Sequence, residues 1–271
     1  MKQANMTHEE QRIFLIEMLL AEMPQYRTAV PPDEEGQKRL LRSLMNVRPV
    51  WPANRRFLEV QDEYLRREAE QKGVVDSEKL PAISWNERLV LWQGDITALK
   101  VDGIVNAANS ALLGCFVPCH SCVDNIIHSV SGIQPRLKCN EIMVKQGFEE
   151  PIGQAKLTPG YNLPSQYVLH TVGPIVSGPL SEVHCRQLRE CYRNCLELAS
   201  QNQLKSIAFC CISTGEFHFP GEKAAEIAVR TVTDFLERDV QIERVIFNVY
   251  KNEDYEIYRS ILDTGPQGRQ N

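Results

Sequence analysis

From Trp85 onward the chain alternates short apolar or β-branched runs with stretches of helical periodicity, and this alternation narrows the fold more than any other feature. The runs lie at 89–92, 103–107, 167–172, 207–212 and 245–249. Between them Leu188, Cys191, Tyr192, Cys195 and Ala199 share one helical face, as do Ala225, Ala228, Val229, Val232, Phe235 and Leu236. Apolar strands separated by amphipathic helices predict an α/β sheet covered on both faces. With 43% hydrophobic residues among 271, the chain can fill such a core.

Ahead of that region the pattern is helical throughout. Thr7 and Glu10 have capping-box spacing, and Ile13, Ile16, Leu20 and Met23 follow at helical intervals up to Pro24. Leu40, Leu41, Leu44 and Met45 mark a second helix closed by Pro49 and Pro52. A third starts near Asn54, carries Phe57, Leu58, Gln61, Tyr64 and Leu65, and stops at Gly73. Three short helices bury little alone. Residues 1–83 are therefore predicted to be a small helical extension docked on an α/β domain at 84–265, with 266–271 a flexible polar tail.

The first apolar run is interrupted by Glu9, Glu10, Arg12 and Glu17, which marks an amphipathic helix and not a signal peptide. No stretch approaches the ~20 apolar residues of a membrane span. A formal charge of −5 argues against a nucleic-acid binder, so phosphates, if bound, should meet backbone amides. Nine cysteines, an odd number without a disulfide-scaffold pattern, fit a reducing compartment, and a cytoplasmic location is expected.

The segment 114–128, GCFVPCHSCVDNIIH, packs three cysteines, two histidines and an aspartate into fifteen residues. Cys115, His120 and Cys122 offer two sulfurs and one nitrogen and leave the fourth position of a tetrahedral zinc open, as a catalytic ion requires. Two other readings stand beside this one: the cysteines are core residues, or Cys119 joins as a fourth ligand and closes a structural site. Asp124 and Asn125 lead from this loop into a helix marked by Ile126, Ile127 and Val130.

Ligands of open α/β sheets sit beyond the carboxyl ends of the strands. One strand leaves into GDIT, where Asp95 can accept from an exocyclic amine or simply cap a helical turn. Another leaves into NAAN, ending on Asn109. The loop 213–221, STGEFHFPG, runs into a helix, so consecutive N–H groups can hold an anion without a Walker lysine, unless it is an ordinary connection. Cys191, Cys195, Cys210 and Cys211 read as core, and His128 and His170 as structural.

Taken together, VLWQGDIT, DGIVNAANSALLG, VDNIIHS, YVLHTVGP and CCISTGEFHFP resemble the macrodomain family over about residues 85 to 262. With GCFVPCHSC in place of a glycine-rich loop and a helical extension in front, the chain looks like the zinc-dependent macrodomains among microbial protein-ADP-ribose hydrolases. The resemblance implies a three-layer α/β sandwich with a mixed central sheet and helices on both faces. It implies one zinc per chain on Cys115, His120 and Cys122, and removal of mono-ADP-ribose from protein side chains. It places Asp95 and Ile96 at the adenine and neighbouring phosphate, and Asn109 at the distal ribose. Ser213, Thr214, Gly215, Glu216 and Phe217 enfold the pyrophosphate, and Asp124 acts on the attacking water, with Cys122 and Asn125 beside the ligand. The implied partner is a lipoyl-carrier H-like protein modified by a sirtuin-like ADP-ribosyltransferase. A non-catalytic ADP-ribose reader with a structural zinc and an O-acetyl-ADP-ribose deacetylase are the alternatives.

Overall fold

The computed structural model describes residues 6–265, so the tail expected over 266–271 lies outside the described residues. The five anticipated strands form one sheet with a sixth: β2 (Leu89–Gln93), β4 (Gly103–Ala108), β5 (Ala155–Pro159), β6 (Tyr167–Val172), β7 (Ser206–Phe209) and β8 (Arg244–Val249). A separate parallel pair joins β1 (Val75–Asp76) to β3 (Leu99–Lys100). In the sheet the order is β2-β8-β7-β4-β6-β5, parallel except for β5, which runs antiparallel at the edge. β7 ends at Phe209, earlier than the run 207–212 suggests, because β4 pairs with it only at Ile207 and Ala208 before the two strands part.

Between β4 and β5 lie α4 (Val123–Ser131) and α5 (Gln134–Gln146); α6 (Glu182–Gln201) joins β6 to β7, α7 (Gly221–Leu236) joins β7 to β8, and α8 (Asn252–Thr264) follows. From β4 the chain steps to β5 and β6, and from β6 it crosses back over β4 to β7. Right-handed crossovers in opposite directions put α4 and α5 on one face and α6 and α7 on the other, where α8 joins α7. Val105, Val168, Ile207 and Ile246 fill the sheet interior with Leu188, Tyr192, Ala225 and Val232 from the helices. The result is a three-layer α/β sandwich.

Outside α4 lies the helical layer of α1 (His8–Glu22), α2 (Glu34–Val47) and α3 (Arg55–Lys72). The Thr7–Glu10 capping box is formed, Asn54 caps α3, and Gly73 ends it at φ 98°, a backbone conformation that favours glycine. α1 buries Leu15, Ile16, Leu19 and Met23, whereas Ile13 and Leu20 of the anticipated stripe are half-buried, because α1 sits between α2 and α3. These residues pack with Leu41, Leu44, Phe57 and Val60 in a core of their own, closed by Ile133 just before α5. No helix among the described residues is long and apolar enough to cross a membrane.

Arg136 of α5 locks this layer to the sandwich. Its Nη1 donates to the carbonyls of Met45, Asn46 and Arg48 at 3.2, 2.8 and 2.6 Å, the unsatisfied end of α2, while Nε donates to Leu113 at 2.7 Å. The guanidinium also lies 4.0 Å from the centre of the Phe116 ring. Burial lowers its pKa to about 10, so it stays charged at neutral pH. Arg136→Met, which strips buried carbonyls of their donor, is expected to cost about 3 kcal/mol. Arg136→Lys should not restore it, because an ammonium lacks the planar fork. Urea unfolding checks both, and a loss below ~1 kcal/mol for the Met variant contradicts the assignment.

A polar chain crosses the sheet interior. The Asn106 amide donates to Asp124 Oδ1 at 2.8 Å and bonds His170 Nδ1 at 3.1 Å, and His170 Nε2 meets Thr158 Oγ1 at 2.8 Å. Nδ1 is then the acceptor and Nε2 carries the proton, which requires a neutral ring. Burial drives His170 from its ordinary 6.5 to about 4. A depressed histidine pKa contributes stability that is complete above pH ~6.5 and is lost as pH falls toward 4, about 3 kcal/mol in all. Because burial raises the Asp124 pKa and offsets part of this change, the test is the difference: the unfolding free energy of the parent minus that of His170→Gln should shrink as pH falls from 7 to 4.5. A difference that does not change with pH contradicts the chain.

Candidate active site

β4 and β7 are neighbours whose following connections leave for opposite faces of the sheet, and where they part a crevice opens at the carboxyl ends. The loops after both strands carry most of the residues singled out by sequence. After β4, Asn109 donates from Nδ2 to the Gly114 carbonyl at 3.2 Å and to Asp124 Oδ2 at 3.4 Å, so one amide bridges the loop and the first turn of α4. Gly114 stands at φ 78°, and a Cβ there would fall 2.8 Å from the His128 ring. Only a glycine lets the loop pass that close.

The ligand atoms of Cys115, His120 and Cys122 lie within 4.8 Å of one another, all half-buried. Bonds of ~2.0–2.3 Å in a tetrahedron put such atoms roughly 3.5–3.8 Å apart, so small side-chain rotations let this trio hold an ion. Burial, the Cys115 sulfur and the Asp124 carboxylate push the Cys122 thiol up to about 12, against the N–H that Asn125 donates to it at 3.4 Å. A cation between the sulfurs reverses that balance, since a coordinated thiol loses its proton. Cys119 faces elsewhere: at φ 52° its sulfur lies 3.2 Å from Ser43 Oγ and 3.5 Å from the Arg39 carbonyl, both on α2. Cys119 therefore stands apart from the trio, which offers three ligand atoms.

Asn125 is fully buried, and its side chain points into the loop and not toward the crevice. Its Nδ2 donates to the Cys115 and Val117 carbonyls at 3.3 and 2.9 Å, and its Oδ1 accepts from Arg42 at 2.8 Å. Arg42 also donates to the His120 carbonyl at 2.7 Å. One asparagine and one arginine of the helical layer thus hold the backbone on both sides of the trio. Asp124 is 5% exposed, and burial pushes it up to about 6 against the Asn106 bond and the Arg136 charge. His128 Nε2 lies 3.5 Å from Asp124 Oδ1, and burial holds that ring neutral.

Across the crevice, Ser213 adopts φ 66° and is 6% exposed, and its Oγ has no partner among the described residues. A Cβ at Gly173 would come within 2.1 Å of that hydroxyl. Thr214 Oγ1 donates to the Cys211 carbonyl at 3.1 Å, nothing stands within 4 Å of a Cβ placed at Gly215, and the Phe217 carbonyl accepts from Val176 at 2.9 Å. α7 begins behind this loop, and no side chain among the described residues caps its first turn. Glu216 Oε1 lies 3.9 Å from His120 Nε2, which sets this loop directly against the trio.

At the end of β2, Asp95 caps the turn Ile96–Ala98, its Oδ1 accepting from Thr97 N and Oγ1 at 2.9 and 2.7 Å. Its Oδ2 meets Lys72 of α3. Burial raises the Asp95 pKa, but Lys72 and Thr97 outweigh it and keep the carboxyl below its ordinary value. The Ile96 side chain is in the core and its carbonyl accepts from the Leu99 N–H, so its own N–H is the group a ligand could meet. Sequence reasoning missed Arg42, Lys72, Asn106 and Arg136. Asn106 sits in the anticipated strand as its lone amide, a signal available beforehand; the others depend on helix placement.

A sequence model of the Macro domain matches residues 105–228. A protein of Treponema medium named protein-ADP-ribose hydrolase is 51% identical over 260 residues, covering 95% of this chain and 100% of that one. One of the same name from Staphylococcus aureus (strain MSSA476) is 46% identical over 235 residues, covering 86% and 88%. The Trypanosoma brucei macrodomain, solved in complex with ADP, superposes with a TM-score of 0.62 at 31% identity, covering 82% of this chain and 95% of its own. Sheet order, the crevice and these likenesses agree: the chain belongs to the Macro domain family.

Proposed function

We propose that this chain is a zinc-dependent protein-ADP-ribose hydrolase that removes single ADP-ribose groups from modified side chains. The observation that carries the reading is the convergence of Cys115, His120 and Cys122 near Asp124, which Asn109 in turn bonds. The relatives that share most of its length are named protein-ADP-ribose hydrolases, which supports the hydrolase part of the reading.

The scissile bond joins ribose C1 to a protein oxygen or nitrogen, and its departure develops oxocarbenium character as in glycoside hydrolysis. When bound, zinc supplies Lewis acidity at the sugar end of the cleft. Asp124, held by Asn106 and Asn109, orients the attacking water and takes its proton. Asn109 fixes the distal ribose. The loop 213–217 grips the pyrophosphate through main-chain N–H groups and the unpartnered Ser213 hydroxyl. Asp95 holds the base, so the reacting sugar is positioned by contacts made far from it. The modified protein, by family resemblance, is a lipoyl-carrier H-like protein carrying ADP-ribose from a sirtuin-like transferase.

Cys115→Ala and His120→Ala are expected to lose both zinc, read by elemental analysis, and release of ADP-ribose from a mono-ADP-ribosylated protein. Asp124→Asn should keep the zinc and lose at least about 100-fold in rate. Release at the parental rate from a zinc-free variant contradicts a chemical role for the metal. Tight ADP-ribose binding without turnover of any modified protein supports a reader instead.

A further inference from the structure

A cavity of about 560 Å³, the size of a small-molecule site, lies between α2, α3 and α4. Leu41, Leu65 and Ile126 give it apolar walls, and Arg42, Lys72 and Asp95 give it polar ones. Lys38 and Glu68, also on its lining, pair with each other at 3.0 Å. Asp95 has spent Oδ1 on Thr97, so Oδ2 is the oxygen left for Lys72 and for a ligand. A carboxylate acceptor and an ammonium donor thus stand side by side on the cavity wall, the donor supplied by the helical layer.

Side-by-side acceptor and donor complement a heterocycle edge that presents a donor next to an acceptor. In adenine these are the 6-amino group and N1; hypoxanthine presents the reverse, a 6-oxo acceptor next to N1–H. Thr97 pins the carboxylate, and the sugar and phosphates are held elsewhere in the cleft, so the base cannot slide by one atom to exchange partners. Each half of the pair then discriminates, because a hypoxanthine sets oxygen against the carboxylate and N1–H against the ammonium.

We propose that Lys72 is a base-selecting residue: it donates to N1 of an adenine whose 6-amino group donates to Asp95, with the ring seated at the mouth of the cavity between α3 and α4. This rests on the ADP-ribose reading above. The helical layer is then a wall of the nucleotide site as well as a brace for the loop.

Isothermal titration of the full chain with ADP-ribose and with inosine diphosphate ribose tests it, using the parent, Lys72→Met and Lys72→Arg. The parent should bind ADP-ribose at least about tenfold more tightly than the inosine analogue. Lys72→Met should lose about tenfold for ADP-ribose and most of the preference, and Lys72→Arg should recover both. On modified protein the Met variant should raise KM and leave kcat unchanged. Unchanged affinity and preference in Lys72→Met overturn the proposal and leave the hydrolase reading standing. A parent that binds neither nucleotide overturns both.

Discussion

The structure turns on a buried guanidinium. Arg136 reaches from α5 to the carbonyl end of α2 on one side and to Leu113 and the Phe116 ring on the other, so the start of the loop that carries the trio and the helical layer share one cation. Burying a charge among carbonyls is tolerable only when its donors are matched, and Arg136 uses Nε and Nη1 on four of them. Arg42 repeats the device from the opposite direction, holding the His120 carbonyl and Asn125. The eight residues between Gly114 and Val123, which have no regular structure, are thereby fixed from outside. Loops that position chemistry need a rigid support, and here the support is the extension.

The same logic explains where backbone strain is kept. Of the six non-glycine residues at positive φ among the described residues, Leu112, Cys119, Ser213 and His218 lie in the two loops that follow β4 and β7, and Tyr161 and Gln203 lie elsewhere. Each such residue costs of order 1 kcal/mol or more, which the surrounding bonds must offset. Ser213 in return presents a hydroxyl with no internal partner, and Cys119 turns its sulfur to α2, away from the trio. Behind them, Thr158, His170 and Asn106 reach Asp124 from inside the sheet, so its carboxylate is held through a chain of neutral groups and not by a counter-ion in contact.

Much of this is legible in the residues alone. Strands buried on both faces announce themselves by composition, and caps such as Thr7, Asn54 and Gly73 mark helix ends locally. β5 escaped because AKLTP is an edge strand, polar and ended by proline, without the apolar run that marks its neighbours. α5 escaped because its apolar residues follow no clear stripe, Arg136 itself being turned inward. The trio was visible because its ligands crowd within eight residues. What holds it was not: Arg42 and Asn125 are 83 positions apart, and Arg136 and Met45 are 91. Asn125 is expected from the sequence beside the ligand, and in the structure its side chain bonds the Cys115 and Val117 carbonyls and Arg42, partners that its neighbourhood in the sequence does not announce. The choice of Cys119 for α2 likewise depends on Ser43 and Asn46, which no local pattern connects to it.

In the proposed hydrolase, the braced loop presents a three-ligand centre to the sugar end of a nucleotide cleft. Anomalous scattering at the zinc edge, from crystals grown with ADP-ribose, tests it most directly. One zinc is expected on Cys115, His120 and Cys122, with Cys119 bonded to α2 and the distal ribose between the ion and Asp124. Zinc ligated by Cys119, zinc remote from the sugar, or no zinc peak at the trio would contradict it.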